Sequence, residues 1–158
     1  MRFNNFWDYR RILFSKGFAS AVWHSRKNVL AYGQGRSLTA GPYMAELDVT
    51  YRCNCRCQMC QRWKDPRNNE LQAEEYEALA AELHEMGSHQ ISIAGGEPLM
   101  RDDVFEIIES FSGREMSVNI CTNGLLLEKY HDQICSSNAT LVTVSLDGAS
   151  AESHDTIR

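Results

Sequence analysis

From Met44 onward the chain alternates between two hydrophobic rhythms. Short apolar runs occur at Met44–Thr50, with Leu47 and Val49, at Ile91-Ser92-Ile93-Ala94, at Val118-Asn119-Ile120-Cys121 and at Leu141–Ser145. Between them apolar residues recur three or four positions apart, as one face of a helix requires. Tyr76, Leu79, Ala80, Leu83 and Met86 trace the first such face, and Gly87 suits the left-handed position after a last turn. Val104, Ile107, Ile108 and Phe111 trace the second, with Asp102 and Asp103 as cap-type residues before it. A third helix is predicted over Leu126–Cys135. Strand–helix–strand units at this spacing close as right-handed crossovers and build a parallel sheet. The fold class is therefore α/β.

In such a sheet every strand ends on the same rim, where active sites gather. Each predicted strand here runs into polar or glycine-rich punctuation. The first enters a cysteine loop, the second Gly95-Gly96-Glu97-Pro98, the third Thr122-Asn123-Gly124 and the fourth Ser145-Leu146-Asp147-Gly148.

Ahead of this body lies a different segment. Phe3, Phe6, Trp7, Phe14, Phe18, Val22 and Trp23 fall at roughly helical intervals with Arg and Lys between them. Through Ala40 seven basic residues face a single acid, a balance of +6; the chain totals −5, so the remainder carries −11. Residues 1–43 read as a basic helical leader and linker, with Gly33, Gly35, Gly41 and Pro42 marking the join, and residues 44–158 as an acidic domain. The leader suits packing on the rest of the protein, with peripheral contact to a membrane surface as the rival reading. The acidic body offers no basic stripe for nucleic acid. Apolar content of 43% is ordinary for a globular protein, and no apolar run is long enough to span a bilayer.

Four of the six cysteines fall between Cys53 and Cys60. Neighbours one residue apart are badly placed to pair, which points to metal ligation in a reducing cytoplasm rather than disulfides. Cys53, Cys57 and Cys60 form C-x3-C-x2-C, with Cys55 between them. A structural zinc commonly takes two C-x2-C pairs far apart, and only one is present. Three thiolates on a short loop suit an iron–sulfur cube better, with Cys55 a bystander. Cys121 and Cys135 read as small buried apolar residues. The rival class is a non-catalytic zinc-binding or interaction module.

Taken in order, Cys53-x3-Cys57-x2-Cys60, Gly95-Gly96-Glu97-Pro98, Thr122-Asn123-Gly124 and Ser145-Leu146-Asp147-Gly148 resemble the radical S-adenosylmethionine (radical SAM) enzymes. The tail His154-Asp155-x-x-Arg158 resembles the branch that includes peptide-modifying enzymes with an auxiliary-cluster domain. The resemblance implies a partial (β/α) TIM-like barrel. It implies that Cys53, Cys57 and Cys60 ligate a 4Fe–4S cluster whose fourth iron is chelated by S-adenosylmethionine. Reductive cleavage would then give a 5′-deoxyadenosyl radical that abstracts hydrogen from a substrate, whether peptide, lipid or small molecule. The electron would come from a reductant such as flavodoxin or ferredoxin. Gly95 and Gly96 would approach the methionine ammonium, with Glu97 in that pocket and Pro98 stiffening the turn. Ser145 would contact ribose or carboxylate, and Arg158 the methionine carboxylate. Thr122 and Asn123 are further candidates for contact, while Asp147 and His154 read as loop braces. Met59 stands where the family often has an aromatic residue near the adenine, and its thioether can still pack on a ring. Such barrels generally need about six βα units, and four are visible here. The sequence is thus expected to be the N-terminal part of a longer enzyme, inactive alone.

Overall fold

A computed structural model of the protein describes residues 16–36, 41–64 and 69–158. The sequence expectations for Phe3, Phe6, Trp7 and Phe14 lie outside these. From Lys16 the leader is helical (α1, Lys16–Gly33), with Val22, Trp23, Val29, Leu30 and Tyr32 exposed and Ala31 buried. The Gly41–Pro42 join is pinned rather than loose. Gly41 N–H donates to Met86 O at 3.2 Å, and Ser88 Oγ donates to Pro42 O at 2.6 Å.

Four strands follow: β1 (Met44–Thr50), β2 (Gln90–Gly95), β3 (Ser117–Thr122) and β4 (Leu141–Val144). They form one parallel sheet in the order β1-β2-β3-β4, as βα repetition predicts. The crossovers carry α2 (Ala73–Glu85), α3 (Val104–Ser112) and α4 (Leu127–Ser136), and a short α5 (Ala151–Asp155) follows β4. Helix α2 begins where Glu75 reaches back to the Gln72 N–H at 2.8 Å. It ends in a Schellman turn: Gly87 sits at φ 87°, and Ser88 N–H closes on Leu83 O at 2.9 Å.

The two faces of the sheet differ because successive side chains alternate. Val49, Ile91, Ile93, Val118 and Ile120 point to the helices, where Tyr76, Ala80, Leu83, Ile107, Ile108 and Phe111 cover them. Each fully buried Ile or Phe contributes roughly 1.5–3 kcal/mol of transfer free energy. The opposite face carries Glu46, Asp48, Ser92, Asn119, Cys121 and Thr143. There Thr143 Oγ1 donates to Asn119 Oδ1 at 2.9 Å, and Asn119 Nδ2 lies 3.4 Å from both Ser92 Oγ and Cys121 Sγ. The helices therefore bury one face, and a hydrophilic face is left beneath the strand tips.

Arg101, only 4% exposed, locks β1 to the crossovers. It donates to Val49 O at 2.7 Å and Leu71 O at 2.9 Å, stacks 5.6 Å from the Tyr76 ring centre, and pairs with Asp103. This corrects the expectation for Asp103: it stands at the N-cap of α3, but its carboxylate is taken by Arg101 and makes no cap bond. The Arg101 hydrogen bond draws the Asp103 carboxyl below its ordinary value.

Candidate active site at the strand tips

The cysteine loop is hung on the β2 tip by main-chain bonds. Gly96 N–H donates to Thr50 O at 2.7 Å and Glu97 N–H to Arg52 O at 2.8 Å. A Cβ on Gly95, whose φ is 120°, would come within 2.4 Å of Thr50 O. One on Gly96 would come within 2.1 Å of Arg52 O. Both glycines are thus needed simply for two backbones to meet.

Glu97 is fully buried yet carries no cation against it in the hydrogen-bond set that holds it. Oε1 accepts from Thr122 Oγ1 at 2.8 Å and Leu99 N–H at 3.1 Å, and Oε2 accepts from Asn123 N–H at 2.8 Å. Asn123 Nδ2 in turn donates to Asn54 Oδ1 at 2.7 Å. Buried carboxylates persist when hydrogen bonds replace lost water, and this one joins the tips of β2 and β3 to the cysteine loop.

The fourth tip closes the site from the other side. Ser145 N–H pairs with Thr122 O at 3.0 Å, extending the β3–β4 ladder. Gln58 N–H donates to Ile157 O at 3.0 Å, so the segment after α5 touches the cysteine loop. Arg158 Nε bonds Asp147, and its Nη1 stands 4.0 Å from Cys57 Sγ. Burial is the largest single influence and opposes the charge on this guanidinium, but the Asp147 hydrogen bond and the surrounding negative charge together raise its pKa. His154 Nδ1 accepts from Asp147 N–H at 3.3 Å, the loop-bracing part expected of it.

These tips enclose a cavity of about 260 Å³. Of the candidate residues, Cys53, Cys57, Cys60, Met59, Gly95, Gly96, Thr122, Asn123, Ser145 and Arg158 line it. Glu97 and Pro98 stand behind the wall, both buried, with Pro98 opening a short 3-10 turn over Pro98–Met100. Met59 is 61% exposed at the cavity edge. Cys55, Arg62, Trp63, Ala94 and Cys121 also line the cavity and were not anticipated there. The period-two alternation of β3 contained the signal for Cys121, since it shares a face with Asn119. Contrary to expectation, Cys121 is half-buried and Cys135 exposed rather than sealed in the core. Burial, then the Cys53 and Cys57 sulfurs, pushes the Cys55 thiol up from its ordinary value.

The donor chemistry fits an iron–sulfur cube. All six cysteines are free thiols. Among the described residues no three Cys, His, Asp or Glu side chains converge on a point that a single ion would occupy. The loop thiols line a cavity wall instead, as ligands to separate corners of a cluster do.

A sequence profile described as the Radical SAM superfamily matches residues 47–158. The match covers most of the chain, and the protein belongs to that superfamily: enzymes whose cofactors are a 4Fe–4S cluster and S-adenosylmethionine. Among similar curated proteins is a "Probable GTP 3',8-cyclase" from Methanopyrus kandleri, 41% identical over 102 residues, covering 64% of this chain and 33% of that protein. Another of the same description, from Methanococcus maripaludis strain C5, is 36% identical over 116 residues, covering 70% and 38%. The chain thus spans about a third of the length of these relatives. Among solved structures, Streptococcus suis SuiB bound to S-adenosylmethionine aligns with TM-score 0.69 at 20% identity, covering 95% of this chain and 36% of that one. BtrN in complex with AdoMet and 2-DOIA aligns with TM-score 0.59 at 23% identity, covering 72% and 49%. These two likenesses establish the fold: a parallel α/β sheet of the partial-barrel type.

Proposed function

We propose that this chain is the cofactor-binding part of a radical SAM enzyme, with residues 1–43 as leader and 44–158 as core. Cys53, Cys57 and Cys60 would hold the 4Fe–4S cluster, leaving Cys55 unligated. Bound together, the cluster and S-adenosylmethionine supply a 5′-deoxyadenosyl radical that takes a hydrogen atom from a substrate. The backbone of Gly95 and Gly96 orients the methionine ammonium, and Ser145, whose hydroxyl both donates and accepts, suits ribose or carboxylate. Arg158 pairs with the methionine carboxylate by exchanging Asp147 for it, a swap between equivalent oxygen acceptors. Glu97 holds the tips of β2 and β3 at fixed spacing from behind the wall. Thr122, at 2% exposure and bonded to Glu97, shares that bracing task, and Met59 covers the cavity edge.

The observation that carries this reading is a single one. Three thiols at C-x3-C-x2-C spacing and residues from all four strand tips line one cavity. For substrate, the description of the curated relatives makes a nucleoside triphosphate the first compound to try. A peptide is the second, since SuiB has been solved with its precursor peptide. An acidic flavodoxin or ferredoxin is the proposed reductant. No described helix is long and apolar enough to cross a membrane, and free thiols agree with a reducing cytoplasm.

Anaerobic reconstitution with iron and sulfide tests the proposal. The expected product is a brown protein that cleaves S-adenosylmethionine to 5′-deoxyadenosine on reduction. A colourless protein retaining one tightly held zinc, and taking up no iron, would overturn it in favour of a structural metal module.

A further inference from the structure

Among the described residues, one buried side-chain polar atom makes no hydrogen bond, Trp63 Nε1. More demanding buried groups elsewhere in the domain all find partners: Glu97 accepts from Thr122 Oγ1, and Arg101 donates to Val49 O. An indole nitrogen donates and cannot accept, so only an acceptor relieves it, and stranding a buried donor is costly. The Trp63 ring lines the same cavity as Cys53, Cys57 and Cys60, and it follows Cys60 by three residues. Two sets of contacts hold the ring where it is. It sits in a one-turn 3-10 helix, Arg62–Lys64, which Arg62 ties to Asp48 at 2.6 Å. Arg56 and Lys64 lie over the ring, 5.7 and 5.1 Å from its centre.

We propose that Trp63 Nε1 donates to a sulfur of the 4Fe–4S cluster and raises the cluster's reduction potential. The inference rests on the proposed function and adds to it a residue outside the ligand set. A protonated thiol is a weak acceptor, and none of the loop thiols takes this bond. Thiolates and sulfides on iron carry negative charge and accept far better. An added electron places more negative charge on those sulfurs, so a donor beside them favours the reduced state over the oxidised one. Arg56 and Lys64, stacked on the donor's ring, act in the same direction by Coulomb attraction. The carboxylate and ribose of S-adenosylmethionine fall to Ser145 and Arg158 after β4, which leaves the cluster as the acceptor beside Cys60.

The test uses the reconstituted full chain under anaerobic conditions and compares wild type with Trp63→Phe, which keeps an aromatic ring and removes the N–H. Redox titration followed by electron paramagnetic resonance is made with and without S-adenosylmethionine. At a fixed potential the variant's ratio of reduced to oxidised cluster is expected to be about tenfold lower in both conditions, a fall of about 59 mV for one electron. Electron–nuclear double resonance of the reduced wild type, labelled with 15N in its indoles, should show a coupled nitrogen and an exchangeable proton, both lost in Trp63→Phe. Equal potentials in the two proteins, or couplings that survive the substitution, would overturn the proposal. A variant altered only in its affinity for S-adenosylmethionine would overturn it as well, by giving the N–H to that cofactor. Should Trp63→Phe take up no iron, the labelled wild type decides alone: a coupled indole nitrogen supports the proposal and its absence refutes it. A wild type that forms no cluster defeats the functional reading and this inference together, whereas a normal cluster with no indole coupling defeats this inference only.

Discussion

Replacing Glu97 by Gln is the sharpest probe of how this site is held. The substitution keeps the size of the side chain and turns one oxygen into an NH2 group. In the wild type both oxygens accept: Oε1 from Thr122 and Leu99, and Oε2 from Asn123 N–H at 2.8 Å. Whichever way the amide turns, a buried donor then faces a donor. A hydrogen bond to a charged group is worth about 1.5–3 kcal/mol, and stranding a buried donor costs about 1–3 kcal/mol. Removing a fully buried charge offsets part of that loss. The net expectation is about 2–3 kcal/mol of destabilisation, or roughly 10 °C in the unfolding midpoint of a domain this size. Circular dichroism melting of the apo protein measures it, beside Glu128→Gln, an exposed glutamate expected to change stability by less than about 0.5 kcal/mol. S-adenosylmethionine affinity of the reconstituted variant should also fall, since the β3 tip loses its anchor. A Glu97→Gln protein that melts with the wild type and binds the cofactor equally well would refute the bracing argument.

Gly96→Ala is expected to be worse than its size suggests, because the added carbon would press against Arg52 O at 2.1 Å and main chain cannot step aside cheaply. Loss of soluble protein, or a melting midpoint lower by more than about 10 °C, is the readout. Truncating Arg101 to Ala should cost about 3–5 kcal/mol in urea unfolding, as it strands Asp103 and two carbonyls. The Asp103 carboxyl is held below its ordinary 3.8, so its share of stability is present above that value and lost as pH falls through the folded-state value. The urea-midpoint gap between wild type and Asp103→Asn should therefore be constant above about pH 5 and narrow progressively as pH falls below it. Cys57→Ala and Cys60→Ala should abolish iron retention after desalting, whereas Cys55→Ala should keep it.

The order of elements was legible because alternation and three-to-four spacing report directly on burial. Ile91, Ile93, Val118 and Ile120 read as strand and lie fully buried in one. The rim was legible for a related reason. Polar punctuation after each apolar run marks strand ends, and a parallel sheet puts those ends together. Glu97 was harder to place, because nothing along the chain tells whether a carboxylate faces a cavity or turns inward to Thr122 and Asn123. Asp103 misled for the same reason. A capping residue and an ion-pair partner look identical until Arg101 is seen beside it. Cys135 was assigned to the core by residue type, yet it stands exposed on α4, none of whose residues is fully buried.

The suspension of the cysteine loop from Thr50 and Arg52 by amide and carbonyl groups has an evolutionary corollary. Apart from Asn54, which bonds Asn123, the outward side chains of that segment take no part in this main-chain suspension, so they are free to drift and acquire new partners. The two glycines beneath have no such freedom, and divergence in this family should spare them while the loop's outer surface is rewritten.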